Sequence, residues 1–163
     1  MISRLFNHLC LNFYAEHFWP ATRNSRGFIQ EMGVQLVSTI YGDTTADRIE
    51  EAIVVLSIVT GGSSLPNFIY IYTWRHNKTI VLWSFVTGDR ADGGLRDIRI
   101  ENGKILLEIY SPVDKMGDCC PKYFKRVWLA WAGNRFTQIE QKELVPNVEG
   151  HGSPIITKPR RNL

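Results

Sequence analysis

From Phe28 onward the apolar residues fall in short runs broken by turn-forming clusters, the pattern of successive antiparallel strands. Val34 to Tyr41 is a β-branched run closed by Gly42-Asp43-Thr44-Thr45-Ala46-Asp47. Ala52 to Val59 is apolar at almost every position, which predicts a strand central in its sheet or covered on both faces. After Gly61-Gly62-Ser63-Ser64-Leu65-Pro66, the runs Phe68 to Trp74 and Thr79 to Val86 predict a hairpin around His76-Asn77-Lys78. Ile98 to Glu101 and Lys104 to Tyr110 flank Asn102-Gly103. That pair is a strong hairpin signal, because a type I′ turn needs positive φ at both central residues. A last hairpin pairs Tyr123 to Trp131 with Arg135 to Glu140 around Gly133-Asn134.

The chain is therefore expected to be all-β, an antiparallel meander of about eight strands in two small sheets. Either a sandwich or two propeller-like blades would satisfy the pattern. Two stretches end a strand alike, Trp74-Arg75-His76-Asn77-Lys78 and Trp131-Ala132-Gly133-Asn134-Arg135, and a shorter apolar strand precedes each. Two related units are expected, over residues 34–87 and 95–142, inside a β domain spanning 27–145. Residues 1–26 have no clean periodicity, although Leu5, Leu9, Phe13 and His17 are spaced for a short helix ending before Pro20. Residues 146–163 lose the pattern and read as a loosely attached tail. The many aromatic residues read first as core and cross-strand packing, with an exposed aromatic cleft for a sugar or other ligand as the lesser reading.

A length of 163 residues suits one domain with a real core, and 44% hydrophobic with 21% charged residues is ordinary for a globular protein. The formal charge of +3 comes partly from Lys158-Pro159-Arg160-Arg161, so no concentrated basic face for nucleic acid is expected. No apolar run approaches a bilayer-spanning length. Asn7, His8, Asn12, Glu16 and His17 interrupt any signal-like apolar region, and taken alone this predicts a cytoplasmic product.

Three constellations carry candidate chemistry. In the first, Asp43, Thr45, Asp47 and Glu51 stand at loop positions one, three, five and nine, a spacing that supplies oxygens to a hard cation such as calcium. Thr45 replaces a charged or amide ligand there, and Arg48 stands where a glycine usually eases the turn. A strand-connecting turn closed by Asx-type hydrogen bonds is the favoured reading of the two. The second is Gly88-Asp89-Arg90-Ala91-Asp92-Gly93-Gly94. It reads as an inter-unit clasp with glycines at positive φ, or as a ligand or anion patch made by Asp89, Arg90, Asp92 and Arg96. It is expected to sit, relative to the second unit, where the Asp43 loop sits relative to the first.

The third is Asp118-Cys119-Cys120-Pro121. Adjacent cysteines can form a vicinal disulfide, pair elsewhere, or stay reduced, and Cys10 is the third and last cysteine. No Cys-x-x-Cys is present, so a zinc site has little support. Ser63, Ser64 and His76 lack the nucleophile-elbow context of a hydrolase.

In order along residues 34–140, the acidic loop, the Gly88 to Gly94 loop, Cys119-Cys120-Pro121 and the terminal Trp131-x-Gly133-x-x-Phe136 hairpin form a recognisable set. The set resembles a group of uncharacterised bacterial proteins, commonly exported or lipoprotein-like, and its acidic loop is similar to the calcium loops of FG-GAP-type blades. The resemblance implies no catalytic activity. It implies a periplasmic or secreted setting, in which a Cys119–Cys120 disulfide could persist. A non-enzymatic β domain binding a protein or small ligand is the leading expectation, and a thiol-based redox enzyme using Cys119 or Cys120 is the alternative.

Overall fold

The computed structural model describes residues 22–23, 29–30, 33–59, 66–89, 93–111 and 121–147. A two-residue pair, β1 (Thr22–Arg23) and β2 (Ile29–Gln30), precedes eight longer strands. The first sheet holds β3 (Gly33–Gly42), β4 (Glu51–Val59), β5 (Asn67–Arg75) and β6 (Lys78–Val86), in chain order. The second holds β7 (Leu95–Glu101), β8 (Lys104–Tyr110), β9 (Tyr123–Trp131) and β10 (Phe136–Pro146), also in chain order. All pairings between strands are antiparallel. The described residues contain no helix, and the short helix expected over Leu5 to His17 lies outside them.

The sheets pack face to face as a sandwich. Ile53, Val55, Ile69 and Ile71 of the first meet Ile98, Ile105, Leu107, Val127, Leu129 and Phe136 of the second in one buried cluster. Each set occupies alternate positions, as the period of two requires. At one margin, Trp83 of β6 lies with its ring centroid 5.7 Å from that of Phe136. At the other, Gly42 of β3 sits directly against Ile100 of β7. The strands therefore stack in matching order, β3 over β7 and β6 over β10.

At one end lie tight links: His76 and Asn77 (φ 51° and 61°) and Asn102 and Gly103 (φ 51° and 71°). Both pairs have the left-handed conformations of a type I′ turn, whose twist suits a two-residue hairpin. At the other end Thr87 N donates to Asn67 O, Tyr110 N to Gly94 O and Ser111 N to Tyr123 O.

Two expectations are corrected here. The last strand does not stop near Glu140 but runs through Pro146, and Asn147 N donates to Lys122 O at 2.7 Å. Its register slips between Gln138 and Glu140 and again between Lys142 and Val145, which erases the alternation that marks a strand in sequence. The Asp43 and Gly88 loops are not equivalent either. The first joins the opening two strands of its sheet, so its counterpart in the second sheet is the Asn102-Gly103 turn. The two loops lie at opposite ends of β5, one beside Thr73 and the other beside Asn67.

Candidate functional site

The acidic loop is closed by its own backbone. Asp43 accepts Ala46 N on Oδ1 at 2.7 Å and Arg48 N on Oδ2 at 2.9 Å. Asp47 accepts Ile49 N at 2.9 Å and pairs with Arg75 at 2.9 Å. Ala46 and Arg48 adopt positive φ (61° and 68°), the strain that a glycine would have relieved. The Ile49 N–H bond lowers the Asp47 pKa below the ordinary carboxylate value. Partial burial opposes that shift, and Arg75 and Thr45 reinforce it.

Glu51 is drawn elsewhere. It is 0% exposed at the head of β4 and takes four hydrogen bonds, all from neutral donors. Oε2 accepts Thr44 N at 2.7 Å and Thr44 Oγ1 at 3.0 Å, while Oε1 accepts Thr73 Oγ1 at 3.2 Å and Thr45 Oγ1 at 3.3 Å. The four residues proposed from spacing are thus neighbours, but each carboxylate is turned onto N–H or O–H donors. Among the described residues, no group of three or more His, Cys, Asp or Glu side chains is arranged to hold a metal ion.

Arg90 and Asp92 lie outside the described residues, as do Cys119 and Cys120. Gly93 has φ 80°, and Gly88 N donates to Gly93 O, as expected of a clasp. Arg96 reaches into the second sheet. Its guanidinium bonds Glu108 Oε2 and lies 4.2 Å from the Phe124 ring centroid.

That contact belongs to a charged network on the outer face of the second sheet. Glu108, 1% exposed, also accepts Arg126 Nε at 2.8 Å and lies 3.5 Å from Arg99 Nη1. Arg99 is shared with Asp97 and with Glu101 at 2.6 Å. Burial works against its charge, but hydrogen bonds to Glu101 and Asp97 outweigh burial and raise its pKa. Three arginines thus stand against three carboxylates, a balanced set that leaves little net field for an outside ion. In the same sheet the indole Nε1 of Trp128 is buried and has no hydrogen-bond acceptor.

The outer face of the first sheet carries no such network among the described residues. Inward positions are fixed by Ile53, Val55, Ile69 and Ile71, so the intervening positions point outward. On β3 and β4 these include Leu36, Thr39, Tyr41, Ala52, Val54 and Leu56. On β5 and β6 they are Phe68, Tyr70, Tyr72, Trp74, Thr79, Val81, Ser84 and Val86. None is charged. Tyr70 and Tyr72 are stacked with centroids 6.1 Å apart; Ala52 and Val54 on β4 are buried, and exposure is greatest on β6, where Val81 and Val86 are 49% and 56% exposed. An antiparallel sheet facing water normally turns polar side chains outward. This one turns aromatic and aliphatic groups outward across all four strands.

The sequence favoured general packing for these aromatics, with an exposed cleft as the lesser reading, and did not assign them to one face. The signal was present in two places. Ala52 to Val59 is apolar in both phases of the alternation, and the second phase of its neighbour reads Phe68, Tyr70, Tyr72, Trp74.

Compared with known proteins, the chain matches no family model, no curated protein and no solved structure. No helix among the described residues is long and apolar enough to cross a membrane.

Proposed function

We propose that the protein is a non-enzymatic binding domain whose docking surface is the outer face of its first sheet. The observation that carries this reading is a four-stranded face rich in Tyr, Phe and Trp and free of charge. Interface centres are depleted in charged residues and enriched in aromatic ones. Contiguous apolar patches that cross a whole sheet are uncommon on surfaces that meet only water. Tyr and Trp add a further property: they offer large, stiff contact area with few rotatable bonds, so little side-chain entropy is lost on docking.

An apolar dye tests the reading. Bis-ANS should bind dilute wild-type protein, and the double variant Tyr70→Lys/Val81→Lys should lose most of that fluorescence while keeping its far-ultraviolet circular dichroism. Equal fluorescence from a folded double variant would place the apolar surface elsewhere and remove the support for this function.

A further inference from the structure

We infer that the occupant of this face is a second copy of the same chain, docked sheet against sheet about a two-fold axis. The inference rests on the docking surface proposed above and names its partner. A two-fold axis brings a patch against itself, so every charged group on it meets a like charge near the axis. The outer face of the second sheet, crossed by Asp97, Arg99, Glu101, Glu108 and Arg126, would bury an extensive ionic network in such a pairing. The first sheet meets no such obstacle, because its outward positions from Leu36 to Tyr41, Ala52 to Ile58, Phe68 to Trp74 and Thr79 to Val86 carry no charge.

Absence of charge also argues against a foreign partner. Unlike surfaces usually gain specificity and encounter rate from opposed charges, and this face offers none to oppose. A self-pairing face has no need of them.

The size of the face fits. Strands of nine or ten residues at about 3.3 Å per residue, spaced about 4.8 Å apart, cover roughly 500–600 Å² on each copy. A pair would bury roughly 1,000–1,200 Å², near the lower bound for a specific interface. A reversible dimer is therefore expected rather than a permanent one. The stacked sheets would lie about 10 Å apart, the spacing of ordinary sheet-on-sheet packing.

Sedimentation velocity on the full chain, from about 1 to 100 µM, reads the equilibrium directly. The wild type should pass from monomer to dimer with concentration. Val81→Lys, at a half-exposed position that leaves the core untouched, should raise the dissociation constant about tenfold or more, and Tyr70→Lys at least as far. Thr137→Lys, on the outer face of the second sheet, should change nothing. A chain that stays monomeric throughout would overturn the inference, as would a dimer indifferent to both lysine variants. Dye binding separates the two levels of argument. A monomer whose dye fluorescence depends on Tyr70 and Val81 rejects self-pairing but leaves a docking face for another partner. A monomer without that dependence rejects both.

Discussion

Ile100 occupies the space that a side chain at position 42 would need: a Cβ built on Gly42 falls 2.8 Å from Ile100 Cδ1 and 3.5 Å from its Cγ2. The contact joins the two sheets at the β3–β7 margin, where the backbone of one strand lies against a side chain of the other. Gly42→Val should destabilise the protein by about 1–3 kcal/mol, the usual cost of overpacking. Gly42→Ala should cost less, because only the tip of Ile100 has to move. Combining Gly42→Val with Ile100→Ala should recover part of the loss. Urea denaturation of the double-mutant cycle measures the coupling, and strict additivity would show that the two positions do not share this space.

Glu51 provides the second test. Its Oε2 satisfies both the backbone N–H and the hydroxyl of Thr44, and Oε1 is bonded by the hydroxyl of Thr73. Glu51→Ala strands buried donors and should cost about 1–3 kcal/mol for each that finds no water. Glu51→Gln should also destabilise, because one acceptor oxygen becomes an NH2 group facing donors. Calcium should leave the melting temperature of the wild type unchanged, since the loop carboxylates already accept internal N–H and O–H groups. A rise with calcium in wild type but not in Asp47→Ala would mean that the loop reorganises around the ion.

Removing Glu108 should be more damaging. Its carboxylate is the acceptor shared by Arg96 and Arg126 and approached by Arg99. Glu108→Gln leaves partly buried guanidinium groups without their counter-charge, a change that costs about 3–5 kcal/mol at buried ion pairs. Chemical denaturation should show this loss. A loss below about 1 kcal/mol would class the network with ordinary surface pairs.

Asp47 gives a pH signature. Its pKa is lowered in the folded protein, so its contribution to stability is present above the pKa of the unfolded chain and disappears as pH falls through the lower folded value. The melting-temperature difference between wild type and Asp47→Asn should therefore be small but measurable near neutrality and should vanish in acid. A difference that persists unchanged below the folded pKa would assign the effect to something other than the carboxylate charge.

The two tryptophans of the repeated phrase should behave differently. Trp74 and Trp131 both lie at the end of the third strand of their sheet, but Trp131 packs on the core and stands 5.0 Å from Phe136, whereas Trp74 points outward. Trp131→Ala should cost about 3 kcal/mol or more and Trp74→Ala distinctly less, as read from thermal melts. Equal losses would mean that Trp74 is also covered.

Much of the architecture was legible because the pleat writes itself into the sequence. Asn102-Gly103 and His76-Asn77 marked their turns, and the strands around them were recovered to within a few residues. The last strand was cut short because its register slips hide the alternation after Gln138. The site was less legible, for two physical reasons. Spacing along a loop fixes which oxygens are near one another but not which donors they face, so choosing at Asp43 and Glu51 between the favoured closed turn and a cation loop required the hydrogen bonds themselves. Composition counts aromatics but does not assign them to a face. That Trp74 and Trp131 point to opposite sides, one residue out of phase, depends on where each strand meets its neighbours.

Each sheet is built from four consecutive strands, and the chain passes from one sheet to the other once, after Val86. Many sandwiches interleave their strands, so neither sheet can close until distant segments have met. Here nearly every ladder joins segments adjacent along the chain. Low contact order of this kind favours quick folding for an all-β protein, since short loops close at smaller entropic expense. Each half can form its hairpins without waiting for the other.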